Sequence, residues 1–282
     1  MARHAHRENR TSPATLLAIL AAVLATVLAT AAAAALAAPT ARGQSDPAAR
    51  PLAQPPVVGG EPADLDRSPW VVYLSIGRGR EFCGGALAAP DKVVTAAHCV
   101  HRTPAKDLRI VAGRQRTNTS AGTEASAVDV WTDPQYRGPY EGHDVAVVTL
   151  DQQLPQPAIR LAGPDDDALH RPGARAEVYG WGATRESGPA STTLRTAGVP
   201  LREDRACSDA YGPKFVPGAM VCAGRPEGGV DSCQGDSGGP LTSGGRLIGV
   251  VSYGDGCARP GKPGVYARVA TYSRELQEQL KN

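Results

Sequence analysis

Several familiar signatures are missing from this 282-residue sequence. There is no Cys-x-x-Cys pair and no His-Glu-x-x-His stretch, which removes common zinc-ligand spacings and the redox dithiol. No histidine follows position 170: the six are His4, His6, His98, His101, His143 and His170. No polybasic run survives past residue 56, so neither nucleic acid nor an acidic surface is an implied partner. There is no internal repeat, and no long helical period separates the short apolar runs.

The opening of the chain does not read as part of a fold. Arg3, Arg7 and Arg10 precede an apolar run from Leu16 to about Ala38, with small residues at Ala35-Leu36-Ala37. That is the layout of a secretory signal peptide, expected over 1–38. The run is also long enough to be an uncleaved anchor, but its alanine richness makes it a weak span. Residues 39–56, rich in Pro, Ala, Gly and Gln, read as a propeptide. Residues 1–56 carry five basic and two acidic side chains, so the formal +2 of the whole becomes −1 for the 226 residues that follow. All six cysteines lie in that remainder. In an exported chain they argue for disulfides, and by count alone about 15 pairings are open.

Strand-like runs dominate the remainder: Val71 to Ile76, Val93 to Thr95, Arg109 to Val111, Val145 to Leu150, Ala176 to Tyr179, Leu247 to Tyr253 and Val265 to Val269. Gly, Pro, Asn and Asp punctuate them, which predicts an all-β barrel or sandwich. The stretch from Leu161 to Asp167 breaks the pattern and reads as a link. Only the C-terminus has a helical stripe, with Val269, Tyr272, Leu276 and Leu280 at three- and four-residue spacing.

The chemistry concentrates in Gly235-Asp236-Ser237-Gly238-Gly239-Pro240. Glycines around a serine let backbone amides approach a reacting carbonyl closely. Upstream stand Thr95-Ala96-Ala97-His98-Cys99 and His143-Asp144-Val145-Ala146-Val147-Val148, which add a base and an orienting carboxylate. The loop also fits a G-x-S-x-G nucleophile elbow, but in that fold the histidine follows the serine. Pro240 sits where the elbow's helix would begin. No aspartate in a fitting context precedes His98, which removes the subtilisin order. The order that remains is His, Asp, Ser.

With Val57-Val58-Gly59-Gly60, Gly180-Trp181-Gly182, Asp231-Ser232-Cys233-Gln234 and Gly264-Val265-Tyr266, the chain resembles the trypsin-like serine proteases of the chymotrypsin superfamily, most similar to small secreted bacterial trypsins. The resemblance covers nearly all of residues 57–282. It implies two six-stranded antiparallel β-barrels, about 57–162 and 170–268, with a C-terminal α-helix about 269–282. It further implies a triad of His98, Asp144 and Ser237, an oxyanion hole from the amides of Gly235 and Ser237, and disulfides Cys83–Cys99, Cys207–Cys222 and Cys233–Cys257. Asp231 would lie at the base of the primary pocket and favour Arg or Lys, Ser232 would line it, and Gly254 and Gly264 would leave it open. Ser252 and Tyr253 would present backbone to the substrate chain, although Tyr253 departs from the tryptophan usual there. Cleavage before Val57 would free an α-amine to pair with Asp236, making the precursor a zymogen. Pro56 precedes Val57 in place of Arg or Lys, so another protease would make that cut. The implied partners are protein and peptide substrates and proteinaceous inhibitors, with no nucleic acid and no membrane once processed. The enzyme would be a secreted monomer without cofactor, a structural calcium ion being left open. His101 and His143 match no motif role and read as surface residues.

Overall fold

Val71-Val72-Tyr73-Leu74-Ser75 is a run of five buried residues, not the alternation of a strand with one wet face. Its two faces meet different cores. Val72 and Leu74 point among Leu87, Val93, Ile110 and Val148, while Val71 and Tyr73 join Tyr179, Trp181 and Leu194. The strand therefore lies between two units. The computed structural model in which this is seen describes residues 57–77, 79 and 81–281. The expected signal peptide and propeptide lie outside the described residues.

After a two-residue strand β1 (Glu61–Pro62), six strands make the first unit: β2 (Val71–Ile76), β3 (Glu81–Ala89), β4 (Lys92–Thr95), β5 (Leu108–Ala112), β6 (Thr123–Thr132) and β7 (Ala146–Leu150). They pair antiparallel and close in the order β2-β3-β4-β7-β6-β5. A four-residue helix, α1 (Ala97–Val100), follows β4.

The second unit contains β8 (Arg160–Leu161), β9 (Arg175–Gly180), β10 (Arg195–Pro200), β11 (Met220–Ala223), β12 (Pro240–Ser243), β13 (Arg246–Tyr253) and β14 (Gly264–Arg268). Its order is β1-β10-β9-β12-β13-β14-β11, with β8 parallel to the start of β13. Six of these strands correspond to the expected second barrel, but the ring closes loosely. β10 and β11 meet at one bridge, Leu201 to Ala223, flanked by Arg202 N–H to Cys222 O at 2.9 Å and Gly224 N–H to Pro200 O at 3.0 Å. Between those strands the chain leaves the sheet to form α2 (Asp204–Tyr211), a helix that the sequence pattern does not announce. Only Cys207 of α2 is buried, and its disulfide to Cys222 fixes the helix to β11.

The C-terminal stripe is helical in two steps, a 3₁₀ turn over Val269–Tyr272 and then α3 (Ser273–Lys281). Val269, Tyr272 and Leu276 join the core of the first barrel, although the segment follows the last strand of the second. The two units also meet where Tyr73 lies edge-on to the fully buried Trp181, with ring centroids 5.2 Å apart. Such a pair adds about 1 kcal/mol to the area it buries.

An internal cation closes the loop between β5 and β6. Arg114 is buried, and its guanidinium donates to Ala121 O (2.5 Å), the Tyr73 hydroxyl (2.9 Å) and Glu124 Oε1 (2.8 Å). Arg114→Ala removes all three bonds and leaves a buried hydroxyl and a carbonyl unpaired. The expected cost is about 2 kcal/mol, or a melting temperature lower by roughly 4–8 °C in calorimetry.

Candidate active site

The end of β4 and the start of β7 are neighbours in the first barrel, with Thr95 opposite Ala146. This pairing brings His98, on α1, beside Asp144, in the turn before β7. Asp144 is 1 % exposed. Its Oδ1 accepts the His98 backbone N–H at 2.8 Å, and its Oδ2 faces His98 Nδ1 at 2.8 Å. The Ser252 hydroxyl donates to the same Oδ2 at 2.6 Å. Burial pushes the Asp144 carboxyl up, but the imidazole, the Ser252 hydroxyl and the His98 amide together hold it below its ordinary value. With a carboxylate at Nδ1, that nitrogen carries the proton and Nε2 is the accepting one. The turn itself is pinned by His143, whose N–H donates to the Tyr272 hydroxyl at 2.8 Å and whose Nδ1 lies 3.2 Å from buried Asp133 Oδ2. His143 is thus half-buried and structural, not the surface residue expected; its φ of 61° belongs to this tight turn. His101 is exposed, with its ring edge-on to Tyr136.

Ser237 belongs to the loop before β12, and its carbonyl accepts the Gly84 N–H of β3 at 2.7 Å. Thr95 Oγ1 donates to the Gly84 carbonyl at 2.8 Å, so the loop leans on the strands that lead to His98. The next residue, Gly238, has φ 78° and donates to Val251 O at 2.8 Å; a side chain there would be strained. Asp236 is fully buried, with Oδ1 accepting from Gly182 N–H and Oδ2 from Cys233 N–H, both at 2.8 Å. Burial pushes its carboxyl up to about 6 despite these two donors. Glu81, not singled out in the sequence, is forced up to about 9 by burial and by the charge of Asp236, and is neutral at pH 7. Val57 is buried among Val178, Val199, Val221 and Val230, and the carbonyl of Val58 accepts the Asp231 N–H at 3.1 Å.

One cavity of about 120 Å³ is lined by Ser237, Asp231, Ser232, Ser252, Gly254 and Gly264, among others. Asp231 is 2 % exposed, and its Oδ2 accepts the Ala258 N–H at 3.1 Å. Burial pushes its carboxyl up to about 7, which the amides of Ala258 and Ser232 only partly offset. A Cβ on Gly264 would lie 2.5 Å from Asp231 Oδ1, so glycine there keeps the space over the acid free. The Cys233–Cys257 bond joins the two walls, and Cys83–Cys99 ties the residue after His98 to β3. Tyr253 closes one side, edge-on to Tyr140 and Tyr211. A larger groove of about 950 Å³, beside Tyr73, Arg114 and Ser191, contains none of the sequence-predicted site residues. Among the described residues the one metal-like cluster is Cys83, His98 and Cys99, whose two sulfurs are bonded to each other and do not serve as ligands.

Sequence reasoning placed the Ser252 backbone at the substrate and missed its hydroxyl on Asp144. No local pattern marks that contact, because the two residues are 108 positions apart.

The sequence model of the trypsin family matches residues 57–275. A trypsin of Saccharopolyspora erythraea is 49% identical over 224 residues, which span 79% of this chain and 98% of the relative. A trypsin-like protease of Streptomyces glaucescens is 39% identical over 227 residues, covering 78% and 81% of the two chains. Trypsin eta of Drosophila melanogaster is 37% identical over 201 residues, covering 71% and 77%.

Proposed function

The chain belongs to the trypsin family of serine proteases, and from that premise we propose that it hydrolyses peptide bonds after Arg or Lys through a covalent acyl-enzyme. One observation carries the reading: Ser237 and the buried carboxyl of Asp231 line the same small cavity. A substrate guanidinium or ammonium on Asp231 sets the following carbonyl beside the serine.

In this reading Ser237 Oγ bonds to the carbonyl carbon while His98 Nε2 takes its proton. Asp144 holds the other imidazole N–H and stabilises the imidazolium. The amides of Gly235 and Ser237 face the oxyanion. The C–N bond then breaks as His98 returns the proton to the leaving amine. Water repeats the sequence on the ester, freeing the acid product and the serine. No cofactor enters.

The enzyme is read as a secreted zymogen. The Asp236 carboxyl is fully buried, and a buried charge calls for a partner. Cleavage before Val57 supplies an α-amine, which pairs with Asp236 and sets the neighbouring amides. Pro55-Pro56 before Val57 is no substrate for an Arg-directed enzyme. N-terminal sequencing of the secreted protein is expected to begin at Val57, and autoprocessing by purified precursor would overturn this route.

The reading as a whole is tested with Arg, Lys and Phe ester substrates and a serine-directed inactivator. Turnover of the first two, abolished by the inactivator, is the expected result. Turnover of the Phe ester alone would refute the pocket, and none at all by the processed chain beginning at Val57 would refute the enzyme.

A further inference from the structure

Part of the lining of the primary cavity comes from the loop between β13 and β14, through Gly254, Gly256 and Cys257, and this loop is short of structure of its own. Residues 254–263 contain no helix or strand, and Ala258 sits at φ 55°, a conformation that alanine adopts rarely. Yet this loop presents the Ala258 N–H to Asp231 Oδ2. Its geometry must be imposed from outside.

The Cys233–Cys257 disulfide and the Gly229 N–H on Ala258 O at 2.9 Å hold one side of it, and Glu186, on the loop between β9 and β10, holds the other. Its Oε2 accepts from Arg259 Nε at 2.8 Å, and its Oε1 accepts from Arg259 Nη2 in a two-pronged pair. The guanidinium of Arg259 holds the Glu186 carboxyl below its ordinary value, and the backbone amide of Cys257, one residue before Ala258, adds to that effect. Arg259 Nη1 reaches Asp255 Oδ1 at 3.4 Å, and Lys262 Nζ lies 3.2 Å from Asp255 Oδ2 while donating to Ala210 O at 2.8 Å. The pair is seated on Gly256, where a Cβ would lie 2.7 Å from Arg259 Cζ and 2.8 Å from Glu186 Oε2. The start of the Glu186 loop is held too, with Ala183 N–H on Gln234 O at 2.7 Å and Gly182 N–H on Asp236.

We propose that Glu186 and Arg259 are a positioning pair for substrate binding: they hold residues 255–258 against Asp231, so that affinity for the Arg or Lys side chain depends on an ion pair outside the cavity. The proposal rests on the cleavage specificity proposed above. Neither residue lines the cavity. The pair is partly exposed, 35 % for Glu186 and 49 % for Arg259, so its effect is moderate and screened by salt.

The test uses the processed enzyme with Arg259→Ala, Glu186→Ala and the double variant, at low and at high salt. Each single variant is expected to raise KM for an Arg ester about fivefold, with kcat within about twofold. The double variant is expected to match the singles, because the two residues act as one unit. The KM of the parent is expected to rise with salt toward that of the variants. Unchanged KM, additive effects, or equal losses in kcat and melting temperature would each overturn the proposal. A parent that does not turn over the Arg ester would instead refute the specificity on which it rests.

Discussion

Ser237→Ala is expected to fold as the parent does and to lose ester and peptide hydrolysis by a factor of order 10⁶, the scale seen when the nucleophile of such a constellation is removed. The fold is spared because the backbone of Ser237, not its side chain, is bonded into the structure: its carbonyl holds Gly84, and the Asp236 carbonyl holds Gly239. The residual rate reports what binding and backbone amides achieve without a covalent step. Active-site titration with an acylating inactivator is expected to give no stoichiometric burst. A variant that keeps even a hundredth of the parent rate, with unchanged stability, would mean that the reacting oxygen lies elsewhere.

The second large effect concerns Asp231. Asp231→Ser leaves an arriving guanidinium desolvated and unpaired, at a cost of about 3–5 kcal/mol, so kcat/KM for Arg esters is expected to fall by roughly 10²–10⁴-fold. The Phe ester is expected to gain relative to Arg. The variant is not expected to be less stable, because a carboxyl pushed up to about 7 is a group that the fold buries at a cost. The same shift fixes the sign of the pH dependence. Below pH 7 the free cavity holds mostly neutral Asp231, whereas a cationic ligand needs the carboxylate. Affinity for an amidine inhibitor is therefore expected to rise from pH 5 to about 7, with close to one proton released per molecule bound at pH 6. Calorimetry in two buffers of different ionisation enthalpy measures that proton, and Asp231→Ser is expected to remove it.

Most of the architecture is legible where packing demands uniform apolar runs. β2, β7 and β13 are buried almost throughout and stand out as short Val-rich or Leu-rich stretches. Other strands are obscured. β3 carries Gly84, where the loop of Ser237 approaches, and Gly85, which faces Val72, Leu74 and Val93 inside the barrel, and β6 mixes alanines with Glu124, Asp129 and Thr132 because much of it is partly exposed. α2 is hidden for another reason: a disulfide replaces the apolar stripe that would have revealed it. At the site, the motif residues are local in sequence and therefore readable. The contacts that organise them, Ser252 on Asp144 and Arg259 on Glu186, join positions 108 and 73 apart and exist only after folding.

His98 and Asp144 stand on one barrel, Ser237 and Asp231 on the other, and between them the chain runs from β7 through the short β8 to β9. A cut between β8 and β9 would leave two fragments, neither holding both the proposed base, His98, and the proposed nucleophile, Ser237. On the proposed specificity, such fragments fused to two other proteins are expected to turn over an Arg ester only once their carriers have met. The same partition that spreads this chemistry over two halves of a chain makes it a natural reporter of proximity.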